Sequence, residues 1–370
     1  MPENRAAWIR SKHARLEVGP APYPQAAADQ VVIRSRAVAL NPLEWIIQVD
    51  GNITYRWLHY PTVIGSDVAG EVVEVGTDVT RFRVGDRVLA HTVGTDKDSN
   101  RPAEGAFQHY PVALERLTCP IPDDLTFEEA ATLPLAVSTA SSALFQQDQL
   151  GLRAPGTGSI PSGQTLLVWG GSTSVGSQAI QLAVAAGYEV IATASPRNFD
   201  HVRSLGAAEV FDYRADDVES AIITAFTHRR FAGALALGTT SAPACVRIAG
   251  AAHGDRKVAI GTPPVDFAVL ASDRLTDRIA LTARLVRATI PMQVTARRLG
   301  VRARFIFGTS LKNNDVSTAV YQYHLPAALA EHRHAISPRP EVVGHDLQDI
   351  QTALDLQRRG VSAAKLVVTL

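Results

Sequence analysis

Cysteine is nearly absent from this 370-residue chain: only Cys119 and Cys245 occur, far apart and in no C-x-x-C pair. That excludes a disulfide framework and a cysteine-built zinc site. Net charge is absent as well. The 36 basic residues balance the 36 acidic ones, so nothing attracts the chain generally to nucleic acid or to an anionic membrane surface. The N-terminal stretch MPENRAAWIRSKHARLEV lacks the apolar core of a secretory signal. No uninterrupted apolar run reaches the ~18 residues needed to span a bilayer. The expectation is a cytoplasmic protein with neither nucleic acid nor membrane as partner.

What is present is a globular composition, with 46% hydrophobic and 19% charged residues, at a length that suits two or three domains. Short β-like runs at Gln30–Leu40, Asp67–Gly76, Asp86–His91 and Gly105–Val112 are separated by Gly, Pro and Asp turns, which predicts a first, mainly β domain. Asn41-Pro42 ends the first of them. Near Asp124 the texture turns Ala-rich and helix-prone, and Gly151–Gly163 reads as a loop. Beyond it, β-like runs at Thr165–Trp169, Glu189–Thr193, Glu209–Asp212, Gly233–Leu237, Lys257–Ile260 and Arg304–Phe307 alternate with helix-compatible segments. Repeated βα units predict a doubly wound parallel sheet. The longest connection, Asp273–Arg298, reads as a helical excursion. Gln348–Arg359 reads as a late helix and Ala364–Thr369 as a last strand, inferred to return to the first domain.

The stretch TLLVWGGSTSVGSQAIQLAVAAG, Thr165 to Gly187, joins an apolar strand, a glycine turn and the start of a helix. Unpaired N–H groups and the positive end of a helix dipole converge at such a junction and suit a pyrophosphate. The match to G-x-G-x-x-G is imperfect, because Gly170, Ser172 and Val175 occupy its three places. On its own the turn is as compatible with an ordinary connection as with nucleotide binding. An acid about 20 residues further on commonly holds the ribose 2′-hydroxyl of NAD. Here the strand YEVIATA ends in Ser195-Pro196-Arg197, which tolerates a 2′-phosphate and favours NADPH; a solvated helix-start Arg is the other reading. Tyr213, after the third run, suits either the side of the adenine ribose or a structural role.

Four motifs then occur in order: Asn41-Pro42-Leu43-Glu44-Trp45, Gly65-Ser66-Asp67-Val68-Ala69-Gly70-Glu71, Phe82-Arg83-Val84-Gly85-Asp86-Arg87-Val88 and Gly170-Gly171-Ser172-Thr173-Ser174-Val175-Gly176. Together they resemble the zinc-free medium-chain dehydrogenase/reductase superfamily, particularly its fungal trans-acting enoyl reductase and quinone-reductase-like branch. The resemblance implies an α/β protein: a GroES-like β-barrel catalytic domain, residues 1–138 completed by 312–370, plus a doubly wound parallel-sheet Rossmann domain for NADPH at 139–311. It implies cofactor contacts at Gly171, Ser172, Thr173, Ser174, Val175, Ser195, Arg197, Tyr213, Gly238, Phe307 and Thr309, with Thr139 near the nicotinamide. Packing roles stand beside this for Phe307 and Thr139. Zinc-dependent relatives place a Cys and a His where this chain has Asn41 and Ser66, so no metal is expected. The pair His332 and His334 is assigned to structure or surface. Relatives more often read Gly-Ala-Ser-Gly-Gly-Val-Gly at the turn; Thr173 and Ser174 replace the two inner glycines. Ile46 stands where many relatives have Lys.

The chemistry implied is hydride transfer to the β-carbon of an activated carbon–carbon double bond and protonation at the α-carbon. Asn41, Trp45 and Thr139 are the pocket candidates. No catalytic acid is identified; Tyr55, His59 and Tyr60 have suitable side chains but equally suit a loop, and solvent is an alternative donor. Arg274, Arg278, Arg284, Arg287, Arg297 and Arg298 suit either an acidic acyl-carrier domain or plain solvation. Three readings stand: an enoyl reductase for small or carrier-bound polyketide-type thioesters, a quinone or enone reductase, and a cofactor-binding regulatory or structural protein without turnover. Both a monomer and a homodimer are compatible with the sequence.

Overall fold

The computed structural model describes residues 2–156, 160–265, 267 and 275–370, with the backbone alone for 275–278. The chain forms two compact units: Met1–Leu135 with Phe267–Arg278 and Leu325–Leu370, and Ala136–Asp266 with Ile279–His324. Among the described residues no helix is long and apolar enough to cross a membrane.

The first unit is built on strand Gln30–Ala39, whose side chains, apart from Arg34 and Arg36, are buried on both faces. It pairs antiparallel with Asp67–Val75 on one side and with the C-terminal strand Ala364–Thr369 on the other, Val368 opposite Val38. The sheet continues through Arg339–Gly344 at one edge and Arg87–His91 and Thr118–Pro120 at the other. A smaller sheet pairs Asn4–Ile9 with Leu16–Ala21 and Thr62–Val63, none of which the sequence pattern marked. Two sequence readings need correction. Asn41-Pro42 does more than end a strand: it opens helix Pro42–Asp50, with Pro42 where a missing N–H costs nothing and Gly51 closing it at φ +55°. Gly105–Val112 is not a strand. Its backbone instead bonds to several segments, Ala106 N–H to Gly65 O, Phe107 N–H to Ile64 O, and Ser35 and Ile33 N–H to His109 O and Pro111 O, and a regular ladder with Gln30–Ala39 runs only through Val112–Leu114. Helix formation near Asp124 is also interrupted, giving Phe127–Ala131 and Pro134–Phe145.

The second unit carries six parallel strands. Numbered in chain order they are Gln164–Trp169, Glu189–Ala194, Glu209–Asp212, Arg230–Ala236, Lys257–Ile260 and Arg302–Phe305, and they lie side by side as 3-2-1-4-5-6. The chain leaves the first strand in one direction and resumes beside it in the other. That reversal opens a crevice at the carboxyl ends of strands one and four, where doubly wound sheets take nucleotides. Helix Ser174–Ala185 follows the first strand, and Leu275–Arg298 is the long excursion before the last.

Candidate functional site

The turn after the first strand is held by its own side chains. Gly170 has φ +92°, and its N–H donates to Thr193 Oγ1 at 3.0 Å, while Gly171 N–H donates to Thr193 O at 2.8 Å. Thr173 caps the helix, accepting Gly176 N–H at 3.0 Å, and donates its own hydroxyl to Gly170 O at 2.8 Å. Helix geometry leaves the first N–H groups, at Ser174 and Val175, without intrahelical partners. The Ser174 hydroxyl oxygen is buried beside them with no hydrogen-bond partner. A Cβ on Gly176 would lie 2.2 Å from Gly170 O, so the helix start can approach the turn only as glycine. These features fit a pyrophosphate: first-turn N–H donors converge and a hydroxyl beside them is unpaired.

Ser195 is buried at the end of the second strand, its hydroxyl accepting from Asn198 Nδ2 at 3.2 Å, and Arg197 is exposed. Tyr213 is 39% exposed with the Arg214 guanidinium 5.0 Å from its ring centre, which argues against a packing role. Gly238 follows the fourth strand at φ +103°, its N–H bonded to Thr262 Oγ1 at 2.9 Å, and nothing lies within 4 Å of where its Cβ would be. Gly170 faces this strand end, for its own Cβ would meet Leu237 Cβ at 3.1 Å. Phe307 is 59% exposed and meets Phe305 edge-on at 5.2 Å. Thr309 lies in the short helix Gly308–Asn313. Thr139 packs against Gly308 closely enough that a Cβ there would be 2.6 Å from Thr139 Oγ1. Thr193 and Thr262 were missed in sequence, since only the tertiary contact gives their hydroxyls a function, and Asn198 because its bond to Ser195 is a local turn contact that no motif marks.

The first unit holds a second polar assembly. Asn41 is its hub: its backbone N–H donates to Glu44 Oε2 at 2.6 Å, its Nδ2 to Asp67 Oδ2 at 2.9 Å, and its Oδ1 accepts from Lys365 Nζ at 2.5 Å. Lys365 also contacts Asp67 Oδ2 at 2.9 Å, and Asp67 Oδ1 accepts Leu135 N–H at 2.6 Å. Glu44, Asp67 and Lys365 are 1%, 0% and 5% exposed. Burial, seconded by the Asp67 carboxylate and opposed by Lys365, pushes the Glu44 carboxyl up to about 7. Burial pushes His91 down to about 4, so its imidazole is neutral at physiological pH. Because folded Glu44 keeps its proton to higher pH than the unfolded chain does, its stabilising contribution is full below the ordinary carboxyl range and is lost as pH rises through about 7. Glu44→Gln should therefore raise Tm over the parent at about pH 8.5 and change it little at about pH 5. Thermal unfolding at the two pH values checks this, and equal shifts at both would contradict it.

Trp45 spends its indole N–H on Gln357 Oε1 at 2.9 Å, under the Arg358 guanidinium. Tyr55, half-buried against Trp57, has its phenol pushed far up by burial, and Tyr60, bonded to Asn52 Oδ1, is raised to about 12. Both are weakened as acids, and His59 is exposed. His332 pairs with Asp124 at 3.6 Å on the surface, and His334 is buried. Among the described residues no group of three or more His, Cys, Asp or Glu is placed to hold a metal ion. Arg284, Arg287, Arg297 and Arg298 are exposed on the long helix; Arg274 and the side chain of Arg278 lie outside the described residues.

A β unit completed by the C-terminal strand and a 3-2-1-4-5-6 sheet with a glycine turn at its switch point define a two-unit, nicotinamide-dependent oxidoreductase fold. Residues 27–123 match the alcohol dehydrogenase GroES-like domain. The chain is 48% identical over 375 residues to dehydrogenase pigH of Monascus ruber, covering 100% of both. It is 37% identical over 374 residues to trans-enoyl reductase himH of Aspergillus japonicus, covering 99% of this chain and 97% of that one. The crystal structure of CurK enoyl reductase matches in fold at TM-score 0.73 and 19% identity, covering 100% of this chain and 99% of its own. The chain belongs to the medium-chain dehydrogenase/reductase superfamily, and its fold implies a nicotinamide cofactor.

Proposed function

We propose that the chain is an NADPH-dependent, zinc-independent reductase of the activated double bond in α,β-unsaturated thioesters or carbonyl compounds, working in polyketide-type metabolism. The observation that carries this reading is the glycine turn at the sheet's switch point, in a chain related over nearly its whole length to a protein named trans-enoyl reductase. Bound NADPH would supply the hydride, and the protein's work is orientation and exclusion of water. Gly171, Ser172, Thr173, Ser174 and Val175 are assigned to the pyrophosphate, through first-turn N–H groups and the unpaired Ser174 hydroxyl. Ser195 and Arg197 are assigned to the 2′-phosphate and Tyr213 to the adenosine. Gly238, Phe307 and Thr309 are assigned to the cofactor cleft, Thr139 to the nicotinamide side, and Asn41 and Trp45 to the acceptor.

Purified protein with NADPH tests the reading. Oxidation with unsaturated thioesters supports it, preference for quinones replaces the acceptor, and tight binding without turnover on either panel overturns it. Arg197→Ala is expected to weaken NADPH by roughly tenfold or more and leave NADH nearly unchanged, because only the former loses a charge-assisted contact. Fluorescence titration of both dinucleotides reads this directly, and equal losses would remove Arg197 from the 2′-phosphate. Delivery of the thioester by an acyl-carrier domain predicts that reversing charge at Arg284 and Arg287 slows turnover of carrier-bound substrate at low salt; unchanged turnover points to a free thioester.

A further inference from the structure

Helix Leu275–Arg298 is apolar on two opposite faces, and only one of them is covered. From Ile279 onward it belongs to the second unit. Leu281, Leu285, Ala288, Met292 and Ala296 recur at i, i+4, i+7, i+11 and i+15. Leu281, Met292 and Ala296 are buried, the last two in the hydrophobic core of the parallel sheet. Ile279, Ala283, Val286, Ile290 and Val294 repeat the same spacing two residues earlier, which on a helix is about 200° away. This second row faces solvent: its Ile and Val side chains are 39% to 60% exposed. A surface helix ordinarily keeps one apolar stripe, turned to the core. A second, turned outward, marks an interaction surface.

The charge beside the row says what would cover it. At helical spacing Arg284, Arg287 and Arg298 line one flank, while the other carries Thr282 and Gln293. No ion pair holds these three arginines among the described residues. From Ile279 to Asn314 the sequence has seven Arg and Lys and no Asp or Glu, although the whole chain is neutral. A second copy therefore fits the face poorly, since arginines would meet arginines with no carboxylate between them. Sheet growth between copies is blocked as well. In edge strand Arg302–Phe305 the N–H groups of Arg302 and of the following Ile306 point to the neighbouring strand, so the carbonyls of Ala303 and Phe305 point outward. Those carbonyls already accept Gln293 Nε2 at 3.3 Å and Gln149 Nε2 at 3.2 Å, leaving no bare acceptors for strand addition. Lipid matches no better, because the row has no Trp, Phe or Leu to anchor in a bilayer.

We propose that the outward face of this helix docks an acidic amphipathic helix of a partner protein. Its aliphatic side chains would lie along Val286, Ile290 and Val294, and its carboxylates would pair with Arg284, Arg287 and Arg298. The inference goes beyond the reductase reading and does not depend on it; an acidic acyl-carrier domain is one partner with this chemistry.

The probe is a fluorescein-labelled helical peptide with leucine at i, i+4, i+7 and i+11 and glutamate on its flanks, titrated with the full-length protein and read by anisotropy. The parent should bind it, and about 0.5 M salt should weaken binding roughly tenfold. Arg284→Glu with Arg287→Glu should bind it at least about tenfold more weakly, and should bind the same peptide with lysine for glutamate better than the parent does. Val286→Gln with Ile290→Gln should lose as much affinity with Tm unchanged, because both side chains are exposed. No binding by the parent overturns the proposal. So does binding that survives Val286→Gln with Ile290→Gln, which would be charge attraction alone. Two other results overturn it by supplying a different occupant: capture by equimolar phosphatidylserine–phosphatidylcholine vesicles without peptide binding, or a dimer in sedimentation velocity that Val286→Gln with Ile290→Gln dissociates.

Discussion

Gly176→Ala is expected to weaken binding of the nicotinamide dinucleotide by at least about 100-fold, equivalent to about 3 kcal/mol. The added methyl would lie 2.2 Å from Gly170 O and 3.0 Å from both Gly170 C and Gly171 Cα. All three atoms are backbone, so no flexible side chain can yield. The helix must back away from the turn, which withdraws the Ser174 and Val175 N–H groups and the dipole from the phosphates. It also breaks the reciprocal cap in which Thr173 receives Gly176 N–H and donates to Gly170 O, adding about 1 kcal/mol of destabilisation. Fluorescence titration with NADPH measures the first effect and denaturant unfolding the second. Gly156→Ala is the control, since nothing lies within 4 Å of its Cβ position. Binding by Gly176→Ala within a few-fold of the parent would mean that the turn is an ordinary connection.

Lys365→Met should destabilise the protein by about 3–5 kcal/mol, the usual consequence of removing one member of a buried ion pair. Methionine has similar length, so packing is largely kept and the loss is electrostatic. Asp67 would keep Asn41 Nδ2 and Leu135 N–H but lose the ammonium at 2.9 Å, and Asn41 Oδ1 would lose its donor. Adding Asp67→Asn removes the stranded charge, so the double variant should recover much of the loss. Urea unfolding of the two singles and the double gives the coupling directly. An additive double variant would show that Lys365 and Asp67 stabilise the unit independently. The same substitution should move the Glu44 carboxyl further up, because Lys365 is the cation opposing its protonation.

The strand–turn–helix junction of the second unit was legible in the chain because it is local: strand, turn and helix start all lie within Thr165–Gly187. Alternating β and α segments likewise predicted the parallel sheet, with strand ends displaced by a few residues, as at Arg302–Phe305. The helix at Pro42–Asp50 was hidden because Asn-Pro reads equally as a strand's end and as a helix cap. Gly105–Val112 misled because its backbone bonds singly to several segments, Arg5 and Ala7 on one side and Ile33 and Ser35 on the other, without forming a continuous ladder.

Composition and motif order by themselves determined that this chain is globular, poor in cysteine, α/β in class and related to the medium-chain reductases. Only the tertiary structure decided that Glu44, Asp67 and Lys365 share one buried network. Lys365 comes to Asn41 across 324 positions, because the last strand pairs with Gln30–Ala39. Periodicity and motif spacing encode local shape, whereas the charge state of a carboxyl depends on what distant segments bring beside it and how completely they exclude water.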